Sequence, residues 1–239
     1  MSGIPWLILP TFNEAENIDA IVRAADGALA AAAPEGHRIL VVDDGSPDGT
    51  GRLADGLAAE LESVGVLHRT VREGLGPAYI AGFQHALAQD AGYVMEMDAD
   101  FSHDPADLVR LLDAARTTCD LALGSRYVPG GSVQDWGRGR LLISRGGSWY
   151  ARRMLSLGIR DLTGGFKCFR AEVLRAIDLP TVRSHGYAFQ VELTYRAIGA
   201  GFRVQEVPIR FRDRQHGTSK MSSRIAVEAM FLVPRLRRR

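Results

Sequence analysis

The sequence predicts an α/β protein, a single domain on a mostly parallel central sheet flanked by helices, with a basic C-terminal amphipathic elaboration. Three observations carry that expectation. Short aliphatic and β-branched runs alternate with helical patterns through the first half. The 239 residues suit one good-sized domain, and no Pro/Gly/Ser-rich linker divides them. Apolar residues make up 46% and charged residues 24%, enough to fill a core and too little charge for disorder.

Taken in order, Ile4–Leu9 reads as the first strand. Asn13 is placed to cap a helix to about Ala33, with Glu14 and Glu16 favourable in its first turn. Arg38–Asp43 (RILVVD) reads as a buried second strand, followed by a helix near Gly51–Ser63. Val64–Thr70 is the third strand, Pro77–Gln89 the next helix, and Tyr93–Met97 the fourth strand. Asp104-Pro105 then gives N-cap and first-turn signals for a helix to Arg116, and Leu121–Ser125 closes this half. Beyond it the pattern changes. Tyr127–Gly139 is a Gly-rich loop, Leu141–Leu157 is helical, and Leu162–Arg170 is a turn into a short strand. Tyr187–Ala200 reads as helix, Phe202–Phe211 as strand, and Asp213–Ser223 as a polar loop before a last amphipathic helix and the tail Arg235–Arg239.

The formal net charge of +1 hides a split. Residues 1–125 carry 7 Arg/Lys against 20 Asp/Glu, whereas 126–239 carry 22 against 8. All the basic residues except Lys167 and Lys220 are arginine. An acidic half suits a metal ion, and a basic half suits phosphates or an anionic membrane surface. No run reaches the roughly 18 apolar residues of a membrane span. The N-terminal MSGIPWLILPTFNEAEN lacks a basic leader and a cleavage site, and Cys119 and Cys168 have no metal or redox spacing. A cytoplasmic-type protein is the expectation.

Strand one ends in LPTFNEAEN without a glycine, which argues against a dinucleotide site there, and no P-loop occurs. Strand two ends in DDGSPDGT, where Asp44 is placed to accept hydrogen bonds from a base or ribose, while Pro47–Thr50 reads as a turn. Strand four ends in Met97-Asp98-Ala99-Asp100. Carboxylates at i and i+2 of an extended chain point the same way and can share one hard cation, Mg²⁺ or Mn²⁺. His103 reads as a loop residue.

Together LPTFNEAEN, VVDDGSPDGT, MDADFSHDP, GSRY, ISRG, DLTGGFKCFR and DRQHGTSK resemble the polyprenol-phosphate (dolichol-phosphate) mannose synthases, family 2 glycosyltransferases with the GT-A fold. The resemblance runs in order from about Pro10 to Met221. It implies a nucleotide- and metal-binding half (1–125), an acceptor-binding half (126–221) and a helix with basic tail (222–239). Pro10, Phe12, Glu14, Val42 and Asp44 would form the nucleotide pocket, with Phe12 standing where tyrosine is usual. Asp98, Ala99 and Asp100 would meet the diphosphate, and Asp98 and Asp100 the metal. Ser102 stands where some relatives have a glutamine ligand. Arg126, Arg140 and Ser144 match acceptor-phosphate positions, and Arg214 and Lys220 match residues that close over the donor. The implied reaction is inverting transfer of mannose from GDP-mannose to a polyprenyl monophosphate, with Asp100, Arg126 and Ser144 acting at the reacting centre.

The chemistry suits these residues. A phosphate monoester has a second pKa near ~6, so the nucleophile is already charged and needs no catalytic base. It does need its charge screened, which arginine forks and a cation supply. A polyprenyl acceptor lies in a bilayer, so peripheral attachment at the cytoplasmic face is expected, alone or through a membrane-protein partner. Leu141–Leu157 places Trp149 and Tyr150 beside Arg145, Arg152 and Arg153, a mixture that suits a membrane interface as well as a core helix. The rival readings are a family 2 transferase using a UDP-sugar and a non-catalytic nucleotide-sugar-binding subunit. No nucleic-acid motif accompanies the basic half.

Overall fold

A computed structural model describes residues 3–182, 184, 186–213, 233 and 236. Strand β1 (Pro5–Thr11) is buried along its whole length. Alternation along it decides what lies on either side: Leu7 and Leu9 enter one core, Trp6 and Ile8 the other. Around it lie β2 (Arg38–Asp43), β3 (Val64–His68), β4 (Tyr93–Glu96) and β5 (Leu121–Ser125), while β6 (Ser132–Val133) stands apart. Further along come β7 (Lys167–Arg170), β8 (Val204–Pro208) and β9 (Arg210–Phe211). The seven-stranded sheet has the order β3-β2-β1-β4-β7-β5-β8 and takes strands from both halves of the sequence. β7 alone runs antiparallel to its neighbours, β4 and β5; the remaining pairs are parallel. β6 and β9 form a small parallel pair.

Helices α1 (Ile18–Ala32), α2 (Thr50–Glu60) and α4 (Asp107–Thr117) cover the Leu7/Leu9 face. Helix α3 (Leu75–Ala88) covers the opposite face together with α6 (Ala171–Ala176) and α7 (Gly186–Gly199). Helices on both faces explain why the strands read as nearly continuous apolar runs. The approach of α3 is close: a Cβ on Gly82 would stand 2.4 Å from Ile8 Cγ2, so only glycine fits there. Between β6 and β7, α5 (Arg138–Leu155) packs Ala151 and Leu155 against Leu162 and Val191, in a third cluster that also buries Val233 and Leu236.

The structure corrects several expected boundaries. Helix α1 begins at Ile18, not after Asn13, because residues 13–15 are committed elsewhere. Asn13 has a left-handed φ of 56°, and the Asn13, Glu14 and Ala15 amides donate to Ser46 Oγ, Thr50 Oγ1 and Asp48 Oδ2. The turn at 46–50 is thus a latch between the ends of β1 and β2. Asp104 accepts from the Ala106 amide, as a cap would, yet α4 starts at Asp107. The strand expected over Phe202–Phe211 divides into β8 and β9, which join different sheets. The Tyr127–Gly139 loop contains β6 and ends in the start of α5. Arg214, Lys220 and the expected helix and tail over 222–239 lie outside the described residues, Val233 and Leu236 excepted.

Candidate active site

Parallel strands deliver their carboxyl ends to one edge, and register sets which residues meet there. Pro10 pairs with Val42 and Thr11 with Asp43. Val42 is wholly buried in the core beside Ile8 and Phe83, and Ala99 is buried in the opposite core. These two expected contacts can therefore meet a ligand only through their backbones. Pro10 is buried as well. Phe12 is half-buried, with the Arg72 guanidinium, a cation the sequence did not single out, 3.8 Å from its ring centroid. Glu14 accepts from Asn17 Nδ2 at 2.9 Å. Asp44 accepts from Arg69 Nη1 at 2.6 Å and from the amides of Gly74 at 2.8 Å and Glu73 at 3.4 Å. Three bonds use most of a carboxylate's roughly four lone-pair sites, so Asp44 ties β2 to the loop before α3.

Beyond β4 the chain places Asp98 and Asp100 in the wall of an open cleft. Tyr79 donates its hydroxyl to Asp98 Oδ1 at 3.4 Å. Burial first, then the charge of Asp98, pushes the Tyr79 phenol well above its ordinary range. Asp100 is 6% exposed, and its Oδ1 accepts from the Ser102 amide at 3.0 Å and from the Ser102 hydroxyl. Ser102 thus acts as a donor that orients Asp100. Among the described residues no three His, Cys, Asp or Glu side chains gather as a metal centre. Two hard carboxylates in an open cleft fit Mg²⁺ or Mn²⁺, which keep several positions for water and diphosphate oxygens.

The facing wall is basic and aromatic. The Arg126 Nε and Nη2 donate to the two oxygens of Asp161, each at 2.7 Å, and Nη2 also donates to Thr163 Oγ1 at 2.9 Å. Trp136 and Phe211 flank the same guanidinium, their ring centroids 5.6 and 5.2 Å away. Arg126 lines the cleft, but its fork is committed to a buried carboxylate. Arg140 also lines it, half-exposed, stacked 4.1 Å from the Trp136 centroid and paired with Asp213 at 2.8 Å. Ser144 lies one turn further along α5, outside the cleft lining, and accepts the Tyr127 hydroxyl at 2.7 Å.

Below the cleft floor lies a buried ion pair. Lys167 Nζ donates to Glu96 Oε1 at 2.9 Å and to Gln190 Oε1, and neither charged side chain is exposed at all. Burial raises the Glu96 carboxyl and lowers the Lys167 ammonium, each opposed by its partner. His103, between the rings of Phe166 and Phe211, is buried and held down to about 4, chiefly by desolvation. Sequence reasoning missed Trp136, Phe211, Gln190 and His103 as cleft residues. The Tyr127–Gly139 loop and the quoted MDADFSHDP, DLTGGF and DRQHGTSK marked parts of this region in advance without placing these four side chains in the cleft.

The sequence of α5 holds five arginines and no acid. Leu142, Ile143 and Trp149 are 71%, 70% and 64% exposed on it, while Ala151 and Leu155 face inward. No helix among the described residues is long and apolar enough to cross a membrane.

A family model described as glycosyl transferase family 2 matches residues 6–178. Polyprenol monophosphomannose synthase of Mycolicibacterium smegmatis is 53% identical over 228 residues, covering 95% of this chain and 84% of the relative. Undecaprenyl-phosphate mannosyltransferase of Micrococcus luteus is 51% identical over 228 residues, covering 95% and 91%. Glucosyl-3-phosphoglycerate synthase from Mycobacterium tuberculosis, solved with phosphoglyceric acid, matches with a TM-score of 0.71 at 18% identity, covering 98% of this chain and 80% of that one. The same enzyme with Mn²⁺ and UDP-glucose matches with a TM-score of 0.69 at 18% identity, over 97% and 79%. That likeness is one of fold.

Proposed function

The chain belongs to glycosyl transferase family 2 and has the GT-A fold, and from that premise we propose that it transfers mannose from GDP-mannose to a polyprenyl monophosphate. The observation that carries this reading is the cleft itself, where Asp98 and Asp100 face Arg126 and Arg140. One wall suits a cation-bound diphosphate and the other a phosphate, as a reaction between two phosphorylated substrates requires. The names of the two bacterial relatives, which act on polyprenyl and undecaprenyl phosphates, support the acceptor class.

Asp98 and Asp100 would hold Mg²⁺ or Mn²⁺, which when bound neutralises charge developing on the leaving diphosphate. Ser102 keeps Asp100 turned for that task. Arg126, fixed by Asp161, presents a preorganised guanidinium edge to the cleft. Arg140, at the rim, exchanges Asp213 for the acceptor phosphate, and Ser144 and Tyr127 extend that polar track along α5. An acceptor phosphate oxygen forms a bond to the anomeric carbon as the bond to the diphosphate oxygen breaks, and GDP leaves with the electron pair. A single in-line displacement turns an α-linked donor into a β-linked lipid phosphate. The nucleophile arrives deprotonated, so no side chain serves as general base. Arg214 and Lys220 would close over the donor.

The exposed Leu142, Ile143 and Trp149 among the α5 arginines suit an anionic membrane interface, so the chain works as a peripheral protein on the cytoplasmic leaflet. The test of the site is kinetic. Arg140→Ala and Ser144→Ala raise KM for the lipid phosphate and leave GDP-mannose affinity unchanged. Equal loss of both would undo this division of the cleft.

A further inference from the structure

Gln190 comes from α7 and enters the cleft wall 3% exposed. Its amide orientation is fixed by chemistry: Lys167 has only protons to offer, so it must meet the carbonyl oxygen, and it does. Lys167 is held in turn by Glu96 at 2.9 Å, with all three side chains buried. The other end of the amide, Nε2, is buried and meets no acceptor in good hydrogen-bond geometry, its one polar neighbour below the cleft being the Glu96 carboxylate, whose charge it helps to hold. A Cβ on Gly165 would stand 3.2 Å from Nε2 and 4.0 Å from Asp98 Oδ1. The missing side chain at Gly165 therefore leaves the amide open toward the carboxylate that faces the diphosphate.

A buried N–H without a well-placed acceptor costs free energy, and a ligand oxygen placed there recovers it. We propose that Gln190 is a sugar-binding residue, its Nε2 donating to an oxygen of the transferred hexose, with Lys167 and Glu96 as positioning residues that aim it. The inference rests on the reading that a nucleotide-sugar occupies this cleft. An amide at this place has a further consequence: it donates without taking up a proton, which suits a nucleophile that needs no base. A carboxylate there would repel both phosphorylated substrates.

The experiment measures GDP and GDP-mannose binding, with Mg²⁺, to wild type, Gln190→Met and Gln190→Glu. Methionine keeps the volume without the donor; glutamate keeps an oxygen for Lys167 and replaces the donor with an acceptor. The readout is the ratio of GDP to GDP-mannose dissociation constants, which isolates the sugar from the diphosphate. Either folded variant lowers that ratio roughly tenfold, the worth of one hydrogen bond to a buried group. An unchanged ratio in a folded variant overturns the proposal, whether or not overall affinity drops. Wild type that binds UDP-glucose and not GDP-mannose overturns the donor assignment instead, and the same ratio for UDP and UDP-glucose then decides on Gln190.

Discussion

Two bidentate arginine–carboxylate pairs in this chain have nearly the same bond lengths and differ in burial. Arg126 binds Asp161 through two bonds of 2.7 Å, with side-chain exposures of 5% and 0%. Arg23 binds Glu60 through bonds of 2.8 and 2.6 Å, with exposures of 42% and 57%. Asp161→Asn keeps the shape and removes the charge. It strands a guanidinium between Trp136, Phe211 and Tyr127, where water does not solvate it. Removing one partner of a buried pair costs about 3–5 kcal/mol. For a chain of this length each kcal/mol moves Tm by about 2–4 °C, so the melting temperature falls by roughly 10 °C. Glu60→Gln, at the surface, leaves Tm almost unmoved, because water and salt already screen that pair. Thermal melting followed by far-UV circular dichroism reads both. Equal shifts in the two variants would refute the argument that burial rather than bond length decides the worth of the pair. Asp161→Asn should also reduce turnover in whatever fraction stays folded, since Arg126 is no longer held in place.

Replacing Leu142 and Trp149 together with serine removes exposed apolar surface only, so vesicle binding should weaken at least roughly tenfold without loss of Tm; unchanged sedimentation with anionic vesicles would contradict the membrane face. Burial lowers His103 to about 4, below the 6.5 of its unfolded form, so the unfolded chain takes up the proton first as pH falls. Stability is therefore lost from about pH 6.5 downward, by of order 2 kcal/mol at pH 5. His103→Phe keeps the ring between Phe166 and Phe211, and urea midpoints at pH 7 and 5 should show it spared that loss; an equal decline in variant and wild type would contradict it.

Much of the fold was legible because burial on both faces leaves a plain signature. RILVVD and the runs before LPTFNEAEN and MDAD read as strands, and each is one. Local signals failed where distant groups outcompeted them. Asn13 has the chemistry of a helix cap, but its amide belongs to the latch at Ser46, and the helix waits until Ile18. The antiparallel entry of β7 depends on partners from both halves of the chain, so four residues, KCFR, could not announce it. In the site, Asp98, Asp100, Arg126 and Arg140 were visible as motif residues and do meet in one cleft. Val42 and Ala99 matched motifs as well, yet their side chains serve the cores. Gln190 was invisible, because a glutamine on an amphipathic helix reads as part of its wet face. Only the buried Lys167 beneath it gives it another meaning.

The central claim is metal-dependent mannose transfer to a lipid phosphate. Its most direct test mixes the purified chain with GDP-mannose, a short polyprenyl phosphate and Mg²⁺ or Mn²⁺, with and without EDTA, and repeats it with Asp100→Ala. The account predicts mannosyl lipid phosphate from wild type with metal, and almost none with EDTA or from the variant. Product that persists through both treatments would contradict the role given to Asp98 and Asp100, and glucosyl lipid from UDP-glucose with no mannosyl product would contradict the donor.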